Sequence, residues 1–274
     1  MNVAEEGVPG VHQLRALVGS RPTGEATAVG EPGGGAGHGG GSYGGRLVSQ
    51  ALAACAHTVE SGFEPESMHA YLLAGGNAAE PIDFTVERLR DGRAFQHRSV
   101  LGYQGERLLV TASVATVVPQ AGGDWQRDPL HDIPGPGLPS NWAGPLLGDV
   151  FEAALPEGRT LAETGELLHP LWVRSLVELP KDPWLHAAAV AYLSDLGLNG
   201  VVRHVHADRL GSAVYSLSTS HALWFHRTSL LDRWHVLDVD PVSIANTQGF
   251  VEASLRDRAG RLVASIGKGV FIRR

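Results

Sequence analysis

Cysteine is almost missing from this chain of 274 residues. Cys55 stands alone, so no internal disulfide can form and nothing in the composition asks for an oxidising compartment. Lysine is nearly as scarce, with only Lys181 and Lys268, and the formal net charge is −7. That balance argues against a nucleic-acid-binding surface. Long apolar runs are lacking too. The most apolar stretches, Leu47 to Val59 and Leu185 to Leu193, are interrupted by Ser49, Gln50 and His57 or by His186. Both fall far short of the ~20 apolar residues of a membrane span and read as core helices. The N-terminus begins with Glu5 and Glu6 and has no basic stretch followed by an apolar one, unlike a secretory signal. The expectation is a cytoplasmic protein without a membrane partner. With 43% hydrophobic and 19% charged residues, the chain has enough apolar side chains for a core, which excludes a disordered tail.

What is abundant is glycine, and much of it lies in one place. From Gly30 to Gly45 the sequence GEPGGGAGHGGGSYGG has too much backbone freedom for a helix or strand and predicts a loop. A phosphate cradle is the tempting reading, but a Walker loop closes on Gly-Lys-Ser/Thr, whereas this one closes on Gly44-Gly45-Arg46.

After the loop, Leu47, Val48, Ala51, Leu52, Ala54, Cys55 and Val59 recur at helical spacing and predict a buried helix over 45–60. Strand-like alternation follows. Ile82, Phe84 and Val86 interleave with Asp83, Thr85 and Glu87, Asp91-Gly92 makes a tight turn, and a second turn at Gln104-Gly105 leads into another strand. Residues 119–182 interrupt this pattern with prolines at 119, 129, 134, 136, 139, 145, 156, 170 and 180, and read as a linker with a helix or two. Then the order returns, with a helix over 184–197 and four strand-like segments.

Particular residues support the repeat. His69-Ala70 and His221-Ala222 are 152 positions apart, as are Ser113 and Ser265 at the ends of two similar segments, GERLLVTAS and GRLVAS. A duplicated unit of one helix plus antiparallel strands accounts for this. The resulting plan is an N-terminal segment with the glycine-rich loop over 1–42, a first unit over 43–118, a linker over 119–182 and a second unit over 183–274. The fold class is α+β.

A helix wrapped by a curved sheet, present twice, is the arrangement of a double hotdog, and several motifs point to one family. Tyr43-Gly-Gly-Arg-Leu-Val-Ser-Gln-Ala-Leu52, Met68-His-Ala-Tyr-Leu72, Leu89-Arg-Asp-Gly-Arg-Ala-Phe95, Tyr192-Leu-Ser-Asp195 and Leu223-Trp-Phe-His-Arg227 make the chain resemble the acyl-CoA thioesterase II (TesB-like) family nearly end to end. The resemblance implies hydrolysis of fatty acyl-CoA, or of a carrier-bound acyl thioester, by an activated water. No covalent intermediate, cofactor or metal is implied. In the family an Asp, a Thr or Ser, and a Gln hold that water: the carboxylate takes a proton, while the hydroxyl and amide fix the water's orientation.

The resemblance assigns these roles residue by residue. Asp195 matches the family Asp, and Ser218 matches the Thr or Ser. The third position departs, because Val263-Ala-Ser-Ile-Gly-Lys-Gly-Val270 is one residue shorter than the family's Val-Ala-Ser-x-x-Gln-Glu-Gly-Val. Counting forward from Ser265 puts Lys268 in the Gln place; counting back from Gly269 puts Gly267 there. An amide both donates and accepts, an ammonium only donates, and glycine offers no side chain. The family's Asp before His-x-x-Trp is Ser220 here. Lys268 is therefore a third candidate site residue, with the alternative that it is an edge lysine which blunts aggregation. These departures leave two other readings open: a repurposed double hotdog with another acyl-thioester activity, such as dehydration, and a non-catalytic acyl-binding or assembly subunit.

The other candidates are weaker. His204-x-His206 places two imidazoles on one face if the segment is a strand, but without a third ligand at metal spacing. His69 and His221 read as core or strand-start histidines, and Cys55 as a small buried thiol. Sheet edges left open after duplication predict a homo-oligomer.

Overall fold

The computed structural model describes residues 10–33, 41–127, 133–139, 144–160, 169–210 and 215–273. Apolar alternation closes into a single sheet of 13 strands. Unit one supplies β3 (Glu64–Leu72), β4 (Ile82–Asp91), β5 (Phe95–Gln104) and β6 (Arg107–Val117). Unit two supplies β10 (Tyr215–Phe225), β11 (His235–Ala245), β12 (Gln248–Asp257) and β13 (Leu262–Arg273). The strand order runs β4-β5-β6-β3 and then β10-β13-β12-β11, so the second unit mirrors the first across an antiparallel seam where β3 meets β10.

The helices lie on the inner side of this sheet. Helix α2 (Gly44–Ala56) is buried along most of its length, from Gly45 to Cys55. Helix α4 (Pro183–Leu193) is apolar all round, and Leu185 to Leu193 are all buried, as expected for a helix covered on every side. Its start is well specified: Pro183 occupies the first turn and the Asp182 carboxylate accepts from the N–H groups of Trp184 (3.0 Å) and Leu185 (3.3 Å). Its end is a turn, Ser194 to Gly197, in which Gly197 takes the left-handed conformation (φ 77°). Helix α5 (Leu198–Leu210) follows. By length and composition the stretch Pro183–His206 is apolar enough to cross a membrane, but 89% of its most apolar 18-residue window is buried inside the protein.

Several expectations are corrected. The stretch 119–182 is more than a linker with a helix or two. It carries β7 (Pro136–Pro139), the one-turn α3 (Gly144–Leu147), β8 (Phe151–Pro156) and β9 (Leu171–Ser175), and its strands extend the sheet beyond β11. Pro136 and Pro139 bound the edge strand β7 and Pro156 ends β8, positions where a missing N–H costs least. Upstream of the first unit, α1 (Val11–Val18) and a hairpin of β1 (Arg21–Gly24) and β2 (Thr27–Gly30) add to the other edge. The glycine stretch is divided: Gly30 ends β2, Gly44 and Gly45 open α2, and 34–40 fall outside the described residues. His204 and His206 lie on α5 and not on a strand, so a two-residue spacing points them to different faces. No cluster of metal-ligating side chains occurs among the described residues.

Cys55 is fully buried, and burial pushes its thiol up to about 12, which makes it inert. The two histidines aligned by the repeat face opposite sides. His69 pairs with Ala222 on the outer face, where its ring meets Trp224 edge-on at 4.9 Å. His221 pairs with Ala70 and points inward, 1% exposed.

Candidate active site

The inner face of the seam gathers the chemistry-bearing residues. Asp195 follows α4 directly, at the end where a helix presents its negative pole and a carboxylate is least welcome. Two features compensate, and a third group stands close by. The N-terminus of α2 meets Asp195, and the Gly45 N–H donates to Asp195 Oδ2 at 3.1 Å. Lys268 Nζ donates to Asp195 Oδ1. His221 Nδ1 lies 3.8 Å from the same oxygen.

Such a close approach of two helix ends requires the paired glycines. A Cβ on Gly45 meets the Tyr192 carbonyl oxygen at 2.3 Å, and one on Gly44 meets Asp195 Oδ2 at 2.8 Å. Tyr43, the residue before α2, locks the junction. Its hydroxyl donates to the Tyr192 carbonyl (3.1 Å) and its ring packs edge-on against that of Tyr192 at 5.0 Å.

Strand register decides which of Lys268 and Gly267 faces this junction. Lys268 shares the inward side with Ala264, Ile266, Val270 and Ile272, all buried, and is itself 1% exposed. Gly267 lies opposite Ala222 on the outer face, with the Phe250 ring 3.6 Å from where a side chain would begin. Lys268 is thus a buried cation paired with a buried anion and not an edge lysine. Removing either partner strands the other's charge away from water.

Ser218 reaches the same face by an irregularity. It precedes His221 by three residues, an odd spacing that in a regular strand sends the two side chains to opposite sides. Between them the β10–β13 register slips: Ser218 pairs with Val270, Ser220 with Gly269 and His221 with Lys268. The extra residue, Thr219, forms a β-bulge that restores Ser218 to the inner face. Ser218 Oγ lies 3.5 Å from Asn199 Nδ2, at the start of α5. Ser220 points outward.

The histidines around this constellation are neutral. Burial pushes His221 down to about 4, with the Asp195 carboxylate opposing that shift and Lys268 adding to it. His169 is likewise pushed to about 4 by burial, while its two ring nitrogens lie 3.2 Å from the Leu237 carbonyl and 3.0 Å from that of Leu196. His221, Asn199 and the Gly45 N–H were not among the site residues expected from sequence. His221 carried no usable signal, because its odd spacing from Ser218 puts it on the other face of a regular strand.

Comparison with known proteins shows the family. Residues 34–118 match the model of the acyl-CoA thioesterase N-terminal domain, and residues 119–270 match that of the C-terminal domain. The two matches meet within the chain at 118 and 119, so the proline-rich stretch goes with the second half. Among curated relatives, an acyl-CoA thioesterase 2 of Haemophilus influenzae is 25% identical over 84% of this chain and 87% of its own length. An acyl-coenzyme A thioesterase 8 of Rattus norvegicus is 25% identical over 84% and 80%. Among solved structures, a tesB protein of Mycobacterium avium subsp. paratuberculosis superposes with a TM-score of 0.77 at 26% identity, covering 96% of this chain and 99% of that one. The double hotdog fold and the two consecutive domain matches together place the chain in the acyl-CoA thioesterase family.

Proposed function

We propose that the protein hydrolyses acyl-CoA, or an acyl group on another thiol carrier, by direct attack of water at the seam between its two units. Asp195 takes the proton from the water as the C–O bond forms. The C–S bond then breaks and the proton passes to the departing sulfur. Ser218 holds the water by a hydrogen bond. Lys268 pairs with Asp195 and competes with the water for the carboxylate, so this site works below the capacity of one in which an amide stands there. The observation that carries the reading is the match of both thioesterase domains along the chain, with Asp195 of the second accepting from the Gly45 N–H of the first.

The same reading takes the protein as a cytoplasmic homo-oligomer of fatty acid metabolism. The oligomer is supported by Tyr71, Trp224 and Phe250, exposed large side chains on the outer face of the central strands. A dimeric or larger mass in light scattering is expected.

The test is to incubate purified protein with acyl-CoAs of graded chain length and follow free thiol. Release above background that disappears in Asp195→Asn is expected. Absence of release from every acyl-CoA would contradict the proposal.

A further inference from the structure

The Asp195–Lys268 pair creates a problem for proton transfer that the neighbouring His221 is built to solve. If Asp195 keeps the proton it takes from water, the carboxylate becomes neutral and Lys268, 1% exposed, is left as a buried ammonium without its counter-charge. Such a state is strongly disfavoured. A second acceptor must therefore lie close to Asp195, inside the same closed space.

The hydrogen bonds identify it. Ser194 Oγ donates its one hydrogen to the Ala191 carbonyl at 2.8 Å. The same oxygen lies 2.8 Å from His221 Nε2, and with its hydrogen already committed it can only accept there. With the Ser194 hydroxyl turned to that carbonyl, His221 carries its proton on Nε2. Its Nδ1 bears a lone pair, lies 3.8 Å from Asp195 Oδ1, and has no hydrogen-bond partner among the described residues. An empty acceptor on a buried ring calls for an explanation, because buried polar atoms are rarely left unpaired. Lys268 stands directly across the strand pair from His221.

We infer that His221 is a positioning residue that receives on Nδ1 the proton Asp195 takes from the attacking water, holding it until it is returned to the departing sulfur. This inference rests on the hydrolytic reading above. Asp195 then stays ionised beside Lys268 throughout. The imidazolium forms next to a carboxylate that stabilises it, and its Nε2–H remains on Ser194. Proton and charge balance: the water loses one proton, Nδ1 gains and later releases it, and the thiol leaves protonated.

The test is a cycle of four proteins, wild type, His221→Gln, Lys268→Gln and the double variant, assayed for thiol release at saturating and at low acyl-CoA. In the wild-type background His221→Gln is expected to lower kcat by about 10²-fold with little change in KM. In the Lys268→Gln background Asp195 can hold the proton without stranding a cation, so the same change is expected to cost about tenfold less than in the wild-type background. An equal cost in both backgrounds means a merely structural role and overturns the inference. No thiol release from any of the four proteins contradicts the hydrolytic reading itself, and the proton-holding role with it. Nitrogen NMR of the wild-type protein provides a readout that needs neither turnover nor a variant that folds. A bare Nδ1 and a protonated Nε2 on His221 at neutral pH are expected, and a proton on Nδ1 overturns the inference.

Discussion

Each half of the sheet buries a cation on its inner face, and the two are treated differently. Arg98, on β5 of the first unit, is fully buried and saturated. Its guanidinium donates to Thr58 Oγ1 (3.0 Å) and the Thr58 carbonyl (2.9 Å), to the carbonyls of Arg90 and His97, and to Gln96 Oε1 and Asp91 Oδ1. Lys268, on β13 of the second unit, is as deeply buried but donates to one carboxylate oxygen among the described residues. The planar fork of Arg98 ties the end of α2 to the sheet and leaves nothing over for a ligand. Lys268 instead binds the carboxylate that we propose as the base. On that reading the first cation serves stability, whereas the second restrains a reactive group.

Asp195→Asn breaks the second arrangement most severely. Thiol release is expected to fall by 10² or more, roughly the loss of a proton-transfer group, and stability by about 3–5 kcal/mol as Lys268 loses its partner. Denaturant melts together with the thiol assay check both.

Acid acts next. Burial holds His221 and His169 at about 4 in the folded protein, against roughly 6.5 when unfolded. Between those values the unfolded chain binds more protons, so stability rises with pH through this window and falls as pH drops from 6.5 to 4. Melting temperatures over that range are expected to decline, and less steeply in His221→Gln.

Arg98→Met tests the contrast from the first unit. It is expected to cost about 2–3 kcal/mol through the acceptors it leaves behind, while kcat/KM of the folded fraction stays unchanged. A large drop in kcat would erase the distinction between the two cations. The smallest effect belongs to Gly44→Ala, whose new methyl crowds Asp195 Oδ2. A few-fold loss of kcat and a stability loss of about 1–2 kcal/mol are expected.

Much of this architecture was legible in the sequence because periodicity reports it. The apolar stripe of α2, the all-apolar α4 and the alternation of β4 follow directly from side-chain direction. Asp195 was recognisable from its motif. What escaped depended on contacts between distant segments. Gly44 and Gly45 looked like more loop because the Tyr192 carbonyl and the Asp195 carboxylate that require them lie in the other unit. The choice between Lys268 and Gly267 was a matter of register, which a one-residue deletion hides. The bulge at Thr219 left no local mark, so the shared face of Ser218 and His221 was invisible. His69 and His221 share an offset but are not equivalent: His69 pairs with Ser113 and Trp224 pairs with Ser265, so Trp224 holds the place of His69 in the second unit.

Comparing wild type with Lys268→Gln for thiol release from the preferred acyl-CoA tests the central claim, that a buried lysine restrains the carboxylate of a thioester hydrolase. The account predicts measurable release by the wild-type protein and a gain of about tenfold in kcat for the variant, below the ~10² to 10³ that one positioning group can supply, with KM little changed. Robust wild-type turnover that collapses in Lys268→Gln would contradict it and make the lysine itself catalytic.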